Sequence, residues 1–173
     1  MIIAISGLSG SGKNTLGSLV AKKLGYRLVC PTFKDLAEKE GIPLLEFQKK
    51  AMKDPDIDRK FDALLKQEAS KGDCVVTTWL GPWMVDPDIR VWVFCPDDIR
   101  VSRLAKRDGI TTEEAQAHIK KRDDNNRKRY AKLYGIDIDE HSKFDICVNS
   151  GIYGPGQLVD MVLNMIDIRK EKQ

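Results

Sequence analysis

The chain has 173 residues, of which 42% are hydrophobic and 32% charged, and its formal net charge is +3. This balance is typical of one globular domain with its own core, and no apolar run approaches the roughly 20 residues that cross a bilayer. The N-terminus lacks the basic segment of a signal peptide and the four cysteines form no C-x-x-C pair, so we expect a cytosolic protein with buried free thiols and no membrane span.

The first predicted strand leads directly into a glycine-rich loop. The apolar run Ile2 to Ile5 is followed by Gly7-Leu8-Ser9-Gly10-Ser11-Gly12-Lys13-Asn14-Thr15, which opens an amphipathic stretch to about Leu24. Strand, glycine-rich turn with a lysine, then helix is the arrangement of a P-loop, whose backbone N–H groups and helix N-terminus bind a polyphosphate. An ordinary glycine-rich turn with a solvated lysine is the alternative. We predict a nucleoside triphosphate site formed by Gly7, Ser9, Gly10, Ser11, Gly12, Lys13, Asn14 and Thr15.

Apolar runs alternate with helix-like segments along the rest of the chain. The predicted strands lie at residues 2–5, 27–30, 74–78, 89–95 and 144–148. Runs that are apolar throughout suit strands covered on both faces, so we expect an α/β fold, a P-loop parallel five-stranded sheet flanked by helices. Within a single domain of residues 1–173, we assign 1–32, 72–96 and 143–168 to the core, 33–71 to a helical insert and 97–132 to a lid.

The insert is predicted to contain three short helices. It is broken at Gly41-Ile42-Pro43 and again at Asp54-Pro55, where proline and glycine interrupt a helical pattern. In a doubly wound sheet the ligand lies beyond the carboxyl ends of the strands, so the insert can form one wall of the site. Alternatively, it is a helical layer that packs on the sheet.

Positive charge is concentrated in the lid segment, which contains eleven Lys and Arg residues but only seven Asp and Glu residues. The arginines fall on two helical faces, Arg100, Arg103 and Arg107 on the first and Arg122 and Arg129 on the second. The capping-box sequence from Thr111 to Glu114 begins the second helix. Because arginines neutralise the charge on a moving phosphoryl group, we predict a hairpin that closes over a ligand. Alternatively, the second helix is solvated, with Asp123 and Asp124 paired to neighbouring arginines.

Two positions depart from the general P-loop pattern. Asn14 follows the lysine, where Ser or Thr usually binds the metal, and the third strand ends in Thr77-Thr78 without the carboxylate expected there. We therefore expect Mg²⁺ to be bound mainly by phosphate oxygens, with Asn14 and Thr15 as the candidate protein ligands.

From residue 2 to about residue 166 the chain resembles the archaeal type of cytidylate kinase, a family of nucleoside monophosphate kinases. The most specific segments are the glycine-rich loop, residues 54–59, residues 103–109 and above all residues 128–139. The resemblance implies transfer of the ATP γ-phosphoryl group to CMP or dCMP with Mg²⁺, by a sheet core, a monophosphate-binding insert and an arginine lid. It also implies phosphate-binding or catalytic roles for Lys13, Arg103, Arg107, Arg122 and Arg129.

The departures from this family lie on the acceptor side. Thr77-Thr78-Trp79 stands where members usually carry Glu-Gly-Arg, and Ala63-Leu64 replaces a pair of arginines. Fewer cationic groups predict weak CMP binding or a different acceptor. Trp79 and Trp83 are candidates for stacking on a base or for filling the sheet edge. The acceptor-side candidates are Asp58, Arg59, Asp62 and Trp79.

Two other functions remain open from the sequence. One is a diverged P-loop small-molecule kinase with another acceptor, and the other is a catalytically weak nucleotide-binding switch protein. The expected partners are ATP and a nucleoside monophosphate. We expect a monomer, and the absence of aromatic residues interleaved with the basic ones argues against nucleic-acid binding.

Overall fold

A parallel sheet of five strands forms the centre of the described part of the protein. The computed structural model describes residues 1–43, 46–47, 50 and 54–171. Its strands are β1 (Ile2–Ser6), β2 (Arg27–Val29), β3 (Cys74–Thr77), β4 (Ile89–Phe94) and β5 (Ile146–Asn149). Their order is β2-β3-β1-β4-β5, and Ile3 of the central strand lies opposite Val75 of β3 and Ile89 of β4. The predicted fold class is confirmed.

The helices begin and end at the signals that the sequence contains. They are α1 (Lys13–Leu24), α2 (Phe33–Glu40), α3 (Pro55–Ala69), α4 (Gly81–Met84), α5 (Asp97–Asp108), α6 (Thr112–Tyr134) and α7 (Pro155–Lys170). The predicted capping box at the start of α6 is present, because the Thr111 side chain accepts from the Glu114 N–H and the Glu114 side chain accepts from the Thr111 N–H. Asp54 caps α3 by accepting from the Asp56 N–H at 3.0 Å.

The structure describes the predicted insert at its two ends. Helix α2 stops before Gly41 and α3 starts at Pro55, so both predicted breaks are present. The predicted middle helix falls largely outside the described residues. Ala37, Phe47 and Ile57 form a buried cluster within the insert.

Helices cover both faces of the sheet, as the alternation of side chains along β1 requires. Ile3 and Ile5 belong to a buried cluster with residues of α1 and α7, whereas Ala4 belongs to one with residues of α3. Helix α1 approaches β3 so closely that a Cβ at Gly17 would lie 1.9 Å from Thr77 Cγ2. Glycine is therefore required at position 17, and this close packing fixes the start of α1 over the carboxyl ends of the strands.

All four cysteines are free thiols, with Cys74 and Cys95 buried. The expectation that all four are buried is wrong, because Cys147 is exposed on the edge strand β5 and Cys30 is half-buried. Among the described helices, none is both long and apolar enough to span a membrane.

Candidate active site

The glycine-rich loop connects the end of β1 to the N-terminus of α1. Gly12, the last residue before the helix, has a φ of +90°, which side chains of L residues rarely permit. The Ser11 N–H donates to the Leu8 carbonyl at 3.2 Å, and the Ser150 hydroxyl donates to the Ser11 carbonyl at 2.6 Å. The loop is thus fixed by its own turn and by the end of β5, and the helix dipole of α1 favours an anion there.

Buried hydroxyl groups surround this loop without a hydrogen-bond partner among the described residues. They are Ser9 Oγ, Ser11 Oγ, Thr77 Oγ1 and Thr78 Oγ1. Leaving a buried polar group unsatisfied costs about 1 to 3 kcal/mol. A ligand rich in acceptor oxygens, such as a polyphosphate, would provide the missing partners.

The ammonium group of Lys13 lies at the same loop, and its charged form is destabilised there. Its Nζ lies 3.4 Å from the Leu8 carbonyl oxygen and 5.2 Å from the centroid of the Trp79 ring. Burial, together with the nearby Arg122 charge, lowers the pKa of Lys13 from 10.5 to about 8, and Asp123 opposes this change. An anionic ligand would stabilise the ammonium form.

A cleft of about 640 Å³ opens beside Lys13. Five parts of the fold line it: the start of α1, the segment that follows β2, the end of β3 with the segment after it, α3 and α6. The side chains relevant here are those of Lys13, Asn14, Thr77, Thr78, Trp79, Asp58, Asp62, Arg122, Asn126, Arg129 and Tyr130. The cleft therefore joins the phosphate loop to the insert and to the lid segment.

Two carboxylates and a guanidinium lie together in the lining of this cleft. Asp58 and Asp62 are one turn apart on α3, each 7% exposed, and burial raises the pKa of both. Arg129 Nη1 lies 3.5 Å from Asp58 Oδ1, and the Tyr134 hydroxyl donates to Asp62. The acceptor wall of α3 is thereby linked to α6 by two polar contacts.

Of the other acceptor-side candidates, Trp79 lines the cleft, whereas Trp83 and Arg59 do not. Trp79 is half-buried in the cleft wall, with its ring centroid 6.4 Å from that of Tyr130. Trp83 instead packs edge-on against Phe144 at 5.2 Å. Arg59 bonds Asp56 at 2.8 Å with 68% of its side chain exposed. Arg59 is not among the described residues that line the cleft, and its place in the acceptor site stays a prediction.

The lid segment is a hairpin of α5 and α6 with an apolar contact near its turn. Leu104, Ala115 and Ile119 form a buried cluster between the two helices. A second cavity of about 410 Å³ lies between them, and Ser9 of the phosphate loop reaches it. Beyond Ile119, the inward face of α6 is polar yet buried, since Asp123 is 2% exposed and Asn126 9%.

The lid arginines have different environments although the sequence places them on two regular faces. Arg103 donates to the Ser150 hydroxyl at 2.9 Å and to the Ser150 carbonyl at 2.7 Å, which places it beside the phosphate loop. Arg107 is exposed, pairs with Asp108 at 2.7 Å and lines the lid cavity. Arg122 and Arg129 line both cavities. Of these two, Arg122 is close enough to Lys13 to lower its pKa.

The described residues form no cluster of three or more His, Cys, Asp or Glu that could bind a metal ion. Asn14 and Thr15 are exposed on the first turn of α1, and Asn14 lines the cleft. Their oxygens are of the hard type that Mg²⁺ prefers, but they supply only part of a coordination shell. The site therefore suits a cation whose other ligands are phosphate oxygens and water.

The turn after β5 was not predicted as part of the site. Ser150 joins Arg103 to the phosphate loop, and immediately beyond it the side chains of Ile152 and Tyr153 are 72% and 40% exposed. Large exposed apolar side chains beside a phosphate site can pack against a base. A polar-glycine turn directly after the last strand is the sequence signal that could have indicated it.

Comparison with known proteins identifies the family. The model of the cytidylate kinase-like family matches residues 2–152. The chain belongs to this family. The cytidylate kinase of Ignicoccus hospitalis is 38% identical over 95% of this chain and 98% of its own length, and that of Archaeoglobus fulgidus is 36% identical over 99% and 98%. The predicted resemblance and the predicted enzyme class, a nucleoside monophosphate kinase, are confirmed.

Solved structures agree on the fold. An uncharacterized protein from Eubacterium ventriosum superposes with a TM-score of 0.74 at 22% identity, covering 96% of this chain and 98% of its own. A shikimate kinase from Acinetobacter baumannii, in complex with shikimate, gives a TM-score of 0.62 at 18% identity, covering 98% and 94%. At such identities the likeness concerns architecture alone.

Proposed function

We propose that the protein transfers the γ-phosphoryl group of ATP to CMP or dCMP. The observation that supports this most directly is the single cleft that contains Lys13 of the phosphate loop, the acidic pair of α3 and Arg129 of α6. Phosphoryl transfer requires two substrates to be positioned with their charge neutralised, and this cleft combines cationic groups with a separate polar wall.

On the donor side, the phosphate loop binds the ATP phosphates through its backbone N–H groups and Lys13. Arg103, held by Ser150, approaches the same loop, because its Nη1 would lie 3.8 Å from a Cβ at Gly12. The adenine packs on the exposed side chains of Ile152 and Tyr153, which follow Ser150 and Gly151. Mg²⁺ neutralises phosphate charge when it is bound, and Asn14 and Thr15 are the residues that would contribute oxygen ligands.

On the acceptor side, Arg122 and Arg129 neutralise the monophosphate from α6. This arrangement compensates for the missing arginine after β3, because Arg129 lines the same cleft as Trp79. Asp58 and Asp62 offer carboxylate oxygens that accept from the amino group of cytosine or from ribose hydroxyls. Trp79 provides an apolar surface for the base.

A different acceptor is the second candidate function, and Trp79 is the observation that favours it. An indole in the cleft wall cannot neutralise a phosphate, and Lys13 already lies over its ring. An acceptor with a smaller charge than a nucleotide would need fewer cations.

An ADP-release assay with ATP and each of CMP, dCMP, UMP, AMP and GMP, with and without Mg²⁺, separates these functions. We expect turnover with CMP and dCMP that depends on Mg²⁺. ADP release with none of the five nucleotides, from a protein that binds ATP, would favour another acceptor.

A further inference from the structure

A buried ion pair joins the two helices of the lid hairpin to the phosphate loop. Arg100 Nη1 of α5 lies 2.7 Å from Asp123 Oδ2 of α6, and these residues are 3% and 2% exposed. The same Arg100 nitrogen donates to the Ser9 carbonyl at 2.9 Å, and the Ser9 N–H donates to Asp123 Oδ1 at 3.4 Å. One ion pair thus binds both polar backbone groups of Ser9.

The burial of this pair is not explained by stability alone. Removing two charges from water is costly, and apolar residues of similar volume often replace a buried ion pair without loss of stability. Arg100 also has a second partner, since its Nη2 lies 2.6 Å from Asp97 Oδ1, whose side chain is exposed. The contact with Asp123 is therefore not required to neutralise Arg100.

The pair restricts the backbone of Ser9 and leaves its hydroxyl available. Ser9 Oγ is buried without a partner among the described residues, and Ser9 lines the lid cavity together with Arg107 and Arg122. Asp123 directly follows Arg122, and it precedes Arg129 on a continuous helix. A contact that fixes Asp123 against Ser9 consequently sets the distances from the phosphate loop to Arg122 and to Arg129.

We propose that Asp123 is a positioning residue for phosphoryl transfer, which with Arg100 fixes the Ser9 backbone and the approach of α6 to the ATP phosphates. This inference rests on the proposed use of ATP at the loop. The phosphate loop then has its binding conformation only while α6 is held against it by this ion pair.

The variant Asp123→Asn keeps the size of the side chain and removes its charge. Arg100 and the Ser9 N–H both donate hydrogen bonds, and asparagine has only one oxygen to accept them. Its NH₂ group then meets one of these two donors, so at least one of the two hydrogen bonds is lost. We expect kcat/KM for ATP to fall about 10- to 100-fold, the range seen when catalytic groups lose their supporting contacts. The KM for the acceptor should change less than the KM for ATP.

The neighbouring carboxylate provides the matched control. Asp124 pairs with Arg127 at 3.5 Å, and its side chain is 47% exposed. Asp124→Asn makes the same chemical change one residue further on, and we expect it to leave both KM values and kcat unchanged.

A double variant separates positioning from folding. Arg100→Met with Asp123→Leu replaces the ion pair by apolar side chains, which is expected to preserve thermal stability. The Ser9 N–H and carbonyl lose their partners in this protein, so its kcat/KM for ATP should stay at least about tenfold below that of the wild type. A stable but impaired double variant is the result that a purely structural ion pair would not give.

ATP affinity is also measured directly by titration calorimetry, so the test does not depend on the acceptor. If CMP is not phosphorylated but ATP binds, the proposed acceptor is wrong and the ATP affinities of the variants still test this inference. A folded Asp123→Asn protein or double variant with wild-type ATP affinity and kcat/KM would overturn it. Failure of both variants to fold would also overturn it, because the pair would then be a folding requirement.

Discussion

Replacing Lys13 with methionine is expected to abolish phosphoryl transfer and to stabilise the nucleotide-free protein. Methionine retains an apolar side chain against Trp79, whose ring centroid lies 5.2 Å from the Lys13 ammonium nitrogen. The loop keeps its shape, because its conformation depends on Gly12, on the bond from Ser150 to Ser11 and on the contacts of Ser9. The substitution therefore removes one charge and little else.

The stability effect follows from the cost of burying that charge. Burial lowers the pKa of Lys13 from 10.5 to about 8, which corresponds to about 3 kcal/mol in favour of the neutral form in the folded state. Because the folded pKa lies below the unfolded one, the penalty is complete at pH 7 and disappears as the pH rises from about 8 towards 10.5. Allowing for the lost bond to the Leu8 carbonyl, we expect a gain of about 1 to 3 kcal/mol at pH 7. That gain raises the Tm of a domain of this size by about 2 to 4 °C per kcal/mol.

The effect on catalysis is larger and has the opposite sign. A charge-assisted hydrogen bond contributes about 1.5 to 3 kcal/mol, and we expect Lys13 to form two with the phosphate oxygens in the transition state. Their loss lowers kcat about 10²- to 10⁴-fold.

Thermal denaturation at pH 7 and steady-state ADP release measure these two effects on the same samples. Lys13→Arg, which keeps the charge, serves as the comparison and should not gain stability. A methionine variant that keeps more than about a tenth of the wild-type kcat, a loss below about 1.4 kcal/mol, would refute the catalytic role. A methionine variant less stable than the wild type would refute the argument from burial.

Three further predictions concern the cleft and the lid. Trp79→Arg should lower the KM for CMP and leave the KM for ATP unchanged, because one charge-assisted hydrogen bond to the monophosphate adds about 1.5 to 3 kcal/mol. Trp79→Leu is the uncharged control. Equal KM values for the wild type and both variants would mean that Trp79 serves packing alone. Burial raises the pKa of Asp62, so its ionisation costs stability as the pH rises above the unfolded value. Asp62→Asn should therefore match the wild-type Tm near pH 3 and exceed it at pH 7, and a pH-independent difference in thermal denaturation would contradict this. Amide hydrogen exchange in the α5–α6 hairpin should slow when ATP binds, since its cavity-lining arginines gain a shared anion; unchanged exchange rates would mean that the hairpin is fixed.

The features that the sequence predicted well depend on local chemistry. The strands, the P-loop and the capping box at Thr111 are encoded by residues a few positions apart, and the structure has them within a few residues of the predicted bounds. The identity of the cleft wall was also accessible, because Asp58 and Asp62 are separated by one helical turn and so share a face.

The roles of the lid arginines could not be predicted in the same way. Arg100 and Arg103 lie on one predicted face, yet their partners are 23 and 47 residues away, in α6 and after β5. Helical spacing shows which side chains share a face and says nothing about which element packs against it. The same reason explains why the turn at Ser150 was missed.

The conversion of CMP to CDP by the purified protein is the direct test of phosphoryl transfer in this cleft. Purified protein is incubated with ATP, CMP and Mg²⁺, and the nucleotides are separated by ion-exchange chromatography. The proposed function predicts CDP and ADP in equal amounts, with CDP formed at least about 100-fold more slowly by the Lys13→Met protein. ADP without CDP, or CDP formed equally well by the Lys13→Met protein, would contradict the assignment of this cleft as the site of phosphoryl transfer to CMP.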